Sequence, residues 1–122
     1  LAQEPILWVV HDFPAPLASL ARLSQHDTRV AERFEIYVAG MELANGFGEL
    51  TDASLQRARF LQENERRISL GECSYPMPEQ FLFELKNMPP ASGIAVGLER
   101  LLMLMMNIQD IHGVAFVPWK YA

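Results

Sequence analysis

The apolar positions change period several times along the chain, and each change marks an element. Ile6-Leu7-Trp8-Val9-Val10 is a continuous β-favouring run, the pattern of a strand covered on both faces. It stops at His11-Asp12-Phe13-Pro14-Ala15-Pro16, where two prolines close it. From Leu17 to Val30, small, polar and charged residues mix without a period, which predicts loop with a short helical turn. Beyond Arg33 the period becomes two. Phe34, Ile36 and Val38 alternate with Glu35 and Tyr37, and Ala39-Gly40 punctuates. Met41, Leu43, Asn45 and Phe47 then alternate with Glu42, Ala44, Gly46 and Gly48. This is the pattern of a β-hairpin closed by a two-residue turn.

The period then lengthens to that of helices. Thr51-Asp52 offers an N-cap, and the stretch to Leu70 is rich in Gln, Arg, Glu, Ala and Leu before Gly71 stops it. That predicts an exposed helix of about five turns. Cys73 to Met77 reads as loop, and Pro78 suits the first position of a shorter helix, Glu79 to Asn87. Phe81, Leu82 and Leu85 lie on its buried side, and Pro89-Pro90 ends it. Ser92 to Gly97 is a strand of small residues running into a helix, Leu98 to Met106, striped by Leu98, Leu101, Leu102 and Met105. Val114 to Val117 is a final short strand broken by Pro118. The sum is an α+β fold: an antiparallel sheet with helices on its outer face, in a single domain without repeats or linkers.

Half of the 122 residues are hydrophobic, and a chain this long buries roughly two thirds of its unfolded surface, so no staple is needed. Fifteen acidic against ten basic side chains give a net charge of −5. That argues against a surface that coats nucleic acid or anionic membrane, both of which require clustered Lys and Arg. Local contact with RNA stays open. The lone Cys73 fits a reducing compartment, hence the cytoplasm, and the apolar run near the start is too short to span a membrane. The chain opens on Leu1 and enters a strand within a few residues, which predicts a piece cut from a longer polypeptide.

Three stretches can carry chemistry. If Ala39-Gly40 is the turn, Tyr37 faces Glu42 and Glu35 faces Ala44. Glu35 and Glu42 then lie diagonally on one face, with backbones roughly 7–8 Å apart. Oxygen ligands so placed suit Mg²⁺, which typically takes one or two carboxylates plus substrate phosphates; an ordinary solvated sheet face is the alternative. In Ser92-Gly93-Ile94-Ala95-Val96-Gly97-Leu98-Glu99-Arg100, small residues let a ligand approach the backbone. The helix start offers N–H groups, and Arg100 adds a cation that can fork onto phosphate. The alternative is tight strand-to-helix packing, with Arg100 paired to Glu99 or Asp110. In Glu42 to Leu50, Asn45, Phe47 and Glu49 can recognise an ammonium group, Glu49 by charge and Phe47 by its ring face. Alternation puts Asn45 and Glu49 opposite Glu42, so a single pocket requires a bulge or strong twist near Asn45-Gly46. His11, His26 and His112 are isolated and read as structural or surface residues, and the methionines as core filling.

These stretches, in this order, resemble the C-terminal part of a class II aminoacyl-tRNA synthetase catalytic domain of the lysine type. SGIAVGLERLLMLM, Ser92 to Met105, resembles the third class II signature. Glu32-Arg33-Phe34-Glu35 and ELANGFGEL, Glu42 to Leu50, resemble the hairpin of lysyl-tRNA synthetases. Ala18-Ser19-Leu20-Ala21, Arg29-Val30-Ala31, Leu50-Thr51-Asp52 and Ala95 follow the wording of the elongation factor P lysine ligases, a branch without the anticodon domain. The resemblance implies ATP and Mg²⁺ as cofactors, lysine or β-lysine as substrate and elongation factor P as acceptor in a homodimer. Under the alternative of a lysyl-tRNA synthetase, tRNA is the acceptor; a non-catalytic lysine-binding module is a further one. It also implies roles: Glu35 and Glu42 on Mg²⁺; Glu42, Leu43, Gly97 and Arg100 on ATP, with Arg100 catalytic; Asn45, Phe47, Glu49 and Ala95 at the amino acid. Glu99 stands where Asp is commoner, Gly48 where a larger residue is frequent, and Trp119-Lys120-Tyr121-Ala122 lacks an Arg that many relatives carry. The first and second class II signatures have no counterpart, so residues 1–122 alone are expected to be inactive.

Overall fold

The computed structural model describes residues 6–115. In chain order they form β1 (Leu7–Pro14), β2 (Val30–Val38), β3 (Met41–Gly48), α1 (Ala53–Ser69), α2 (Glu79–Leu85), β4 (Ser92–Val96) and α3 (Leu98–Met106). Single 3₁₀ turns lie at Ala15–Leu17 and Ile111–Gly113. The strands make one antiparallel sheet in the order β1-β2-β3-β4. The β2–β3 hairpin turns on Ala39 (φ 50°) and Gly40 (φ 78°). Both are left-handed, as in the two-residue turn whose twist matches the flanking strands.

By contacts the chain divides into two compact units. One comprises Leu1–His11, Phe34–Gly46 and Ile94–Ala122; the other comprises Asp12–Arg33 and Phe47–Gly93. The second holds a core of small residues, Ala18, Ala21 and Ala31, against which Leu23 and Phe47 pack. The aperiodic segment after the 3₁₀ turn builds this core. The Arg22 N–H donates to the Gly48 carbonyl and Leu50 N–H to Leu20 on one side, and Glu32 N–H to Arg22 and Ser24 N–H to Val30 on the other. The segment has no alternation because alanines fill positions too tight for larger side chains.

In the same unit, α1 starts as the sequence predicts: the Asp52 carboxylate accepts the N–H groups of Ser54 and Leu55. Gly71, at φ 77°, lies just past its end. Arg59 donates to the carbonyls of Ser19 (2.8 Å) and Ala21 (2.7 Å), which ties the helix to the core segment. Burial lowers the pKa of that guanidinium. The Asn64 side chain exchanges two hydrogen bonds with the Tyr75 backbone, and the Arg67 guanidinium lies 4.0 Å from the Tyr75 ring centre. These contacts strap the 73–77 loop to α1.

Four expectations change. β1 runs on to Pro14, and Leu7, Trp8, Val9 and Val10 are exposed, not covered on both faces, because no helix among the described residues packs closely over β1. α2 ends at Leu85 with Pro78 as its N-cap. Met88 precedes Pro89 and is disfavoured in a helical conformation, so the helix stops short of it. Leu82 and Leu85 are buried, whereas Phe81 is largely exposed, its ring centre 6.2 Å from that of Phe60. In α3 the buried residue is Met103, while Leu98, Leu102 and Met105 are exposed. Asn107 caps α3 in the left-handed conformation and turns the chain back onto Met103, whose carbonyl accepts the Ile108 N–H. Of the expected last strand, Val114 and Ala115 follow the second 3₁₀ turn outside any strand, and the remainder lies outside the described residues.

Candidate functional site

In the unit that contains the hairpin turn, the predicted nucleotide residues come together. Arg100, in the first turn of α3, donates to the backbone carbonyl of Glu42 at 2.7 Å, and Gly97 N–H donates to the Leu43 carbonyl at 2.9 Å. A Cβ on Gly97 would lie 3.2 Å from Arg100 Cδ, so the glycine leaves room for the arginine stem. The strand, and not Glu99 or Asp110, holds Arg100, and it does so through a carbonyl, leaving the guanidinium unneutralised by any carboxylate among the described residues.

Glu35 on β2 is buried, with 8% exposure, and Tyr37 Oη donates to its Oε2 at 2.6 Å. Glu42 on β3 accepts from Asn45 Nδ2 at 3.2 Å. That bond joins two residues which flat alternation sends to opposite faces. Among the described residues, no group of three or more His, Cys, Asp or Glu is placed to hold a metal ion. Ala95 is exposed on β4.

The other unit holds Phe47 and Glu49. The Arg33 guanidinium lies 4.4 Å from the Phe13 ring centre and 5.8 Å from that of Phe47, and its Nη1 donates to the Leu17 carbonyl at 2.6 Å. One face of Phe47 thus already meets an internal cation. Arg33 escaped sequence reasoning as a partner of Phe47 because its role depends on a ring fourteen residues away in the chain. Glu49 N–H donates to the Ala91 carbonyl, and the Glu49 carboxylate lies against Gly93, where a Cβ would fall 2.5 Å from Oε1. Gly48 has a plain reason to lack a side chain: a Cβ there would collide with Glu32 Oε2 and crowd Arg22, which form an ion pair at 2.7 Å. Two concavities of this unit lie elsewhere, one lined by Ala53, Arg57, Glu79 and Leu82, the other by Phe60, Asn64, Tyr75 and Met77.

Residues 2–120 match the family described as tRNA synthetases class II (D, K and N). The chain belongs to that family. It is 48% identical over 110 residues to a protein of Proteus mirabilis named elongation factor P–(R)-β-lysine ligase, a match covering 89% of this chain and 34% of the relative. Proteins of the same name match from Pectobacterium atrosepticum, at 51% over 106 residues (86% and 33%), and from Edwardsiella ictaluri, at 50% over 115 residues (93% and 35%). The chain spans about a third of the length of these curated relatives. Within the family match, the Glu42–Arg100 contact joins the hairpin to the glycine junction, the two stretches that carry the resemblance. Among the described residues, no helix is long and apolar enough to cross a membrane.

Proposed function

We propose that this chain is the C-terminal part of a class II synthetase-like catalytic domain in an ATP-dependent ligase. The intact protein activates (R)-β-lysine or lysine as an adenylate, releasing pyrophosphate. It then transfers the acyl group to a lysine amine of elongation factor P, releasing AMP. The observation that carries this reading is the identity of 48% to 51% to relatives named for that reaction. The large exposed apolar residues of β1, Leu7, Trp8 and Val9, support a place within a larger catalytic domain, because contiguous apolar surface ordinarily lies against a partner surface.

In this reading Glu35 and Glu42 hold Mg²⁺ on the ATP phosphates. The donor set fits: two carboxylates are what Mg²⁺ typically takes from protein when phosphates and waters complete its shell. The ion supplies charge neutralisation. Leu43 and Gly97 line the ATP site, and Arg100, held beside Glu42 with its charge unneutralised, faces phosphate. The family resemblance gives Asn45, Phe47, Glu49 and Ala95 to the amino acid, with Glu49 meeting a substrate ammonium. No side chain acts as nucleophile, so positioning and charge stabilisation carry the rate. The intact protein works as a cytoplasmic homodimer.

The test is ATP–pyrophosphate exchange by the intact protein with each amino acid. Faster exchange with (R)-β-lysine than with lysine is expected. Exchange confined to lysine, together with charging of tRNA, would instead mark a lysyl-tRNA synthetase.

A further inference from the structure

Gly93 stands in an ordinary strand conformation in β4, without the positive φ that makes glycine necessary elsewhere in this chain. Glycine inside a strand forfeits stability and side-chain packing, and where backbone geometry does not require it, close approach of another group does. Here that group is the Glu49 carboxylate. A Cβ on Gly93 would lie 2.5 Å from Glu49 Oε1 and 3.7 Å from Cδ, and no other atom comes within 4 Å. The backbones are held in register beside this contact by the bond from Glu49 N–H to the Ala91 carbonyl. Among the described residues the Glu49 carboxylate has neither an ion-pair partner nor a side-chain hydrogen bond, so its charge remains open to an incoming cation.

We propose that Gly93 is a positioning residue for substrate recognition: its missing side chain is the seat on which the Glu49 carboxylate lies, and so it fixes where a substrate ammonium group is bound. The ligand class is a diamino acid with a free ammonium at the end that Glu49 meets. The inference rests on the reading above that Glu49 contacts that group. Any side chain at 93 swings the carboxylate off its seat and leaves the substrate charge unmatched, while the Glu42–Arg100 cluster stays as it is.

The test uses the intact protein and compares Gly93→Ala, Glu49→Ala and the double variant by pyrophosphate exchange. Gly93→Ala should raise the amino-acid KM on the order of 10-fold or more, the discrimination a misplaced polar contact costs. The KM for ATP should move less than about two-fold, the scatter of an unaffected site. On the Glu49→Ala background the same change should add almost nothing, because the carboxylate it displaces is gone. Additive effects, or equal effects on both KM values, would overturn the proposal. If Glu49→Ala leaves the amino-acid KM unchanged, the pocket reading falls and the proposal with it; if Glu49→Ala weakens binding and Gly93→Ala does not, the proposal alone falls. Should Gly93→Ala fold poorly, the double variant should recover folding, and failure to recover would show that the glycine serves something other than Glu49.

Discussion

Two carboxylates of the hairpin differ in how firmly each is held, and the difference sets what substitution should do. Glu35 is buried and receives the Tyr37 hydroxyl, so it is fixed before any ligand arrives. Among the described residues, the Glu42 carboxylate has a longer bond, from Asn45, while its own backbone carbonyl anchors Arg100. Glu42→Gln keeps the backbone anchor and removes a charge. In the intact protein it should therefore weaken Mg²⁺-dependent use of ATP by at least about 10-fold, the loss of one charge-assisted ligand, with little change in the amino-acid KM. Steady-state rates at limiting Mg²⁺ check this, and an unchanged ATP dependence would remove Glu42 from the metal. Glycines at 48, 93 and 97 look alike in the sequence yet leave room for three different groups: the Arg22–Glu32 pair, the Glu49 carboxylate and the Arg100 stem. None of those assignments is readable from spacing, because each depends on a side chain far away along the chain or on the direction an arm takes.

At the scale of elements, local signals carried well wherever one residue decides. The Ala39-Gly40 turn and the Asp52 cap need only their own backbone chemistry, and both occur where the sequence places them. Burial signals carried poorly at β1 and α3, because an apolar run states that a face is to be covered without stating by what. The 17–30 segment hid its role for another reason: its alanines build a core by closeness of backbone, which leaves no periodic trace. The α1–α2 pair makes a separate prediction. Arg57 donates both Nη groups to Glu79, and that bond holds the Glu79 carboxyl below its ordinary value of 4.5. A carboxyl depressed on folding stabilises the folded state above the unfolded pKa, and the contribution is lost as pH falls through the folded value. Acidification should thus loosen α2 only slightly, and Glu79→Gln should remove that small part of the pH dependence together with the equally small contribution at neutral pH, as expected of an exposed pair. Amide exchange in α2 against pH is the readout, and an identical profile in the variant would dismiss the pair as a contributor.

For the molecule as a whole, one unit holds the Arg100–Glu42 contact and the other holds the Glu49 carboxylate against Gly93. Family membership was legible from the resemblance that three short stretches carry in their order. The choice of acceptor was less legible, because it rests on the wording of Ala18 to Ala21, Leu50 to Asp52 and Ala95, and on the names of the relatives. The direct measurement is the intact mass of elongation factor P after incubation with the intact protein, ATP, Mg²⁺ and (R)-β-lysine. The account predicts a mass increase of one lysyl residue on a single lysine side chain, dependent on ATP and lost with Arg100→Ala. An unmodified elongation factor P under conditions where the same preparation charges tRNA with lysine would contradict it.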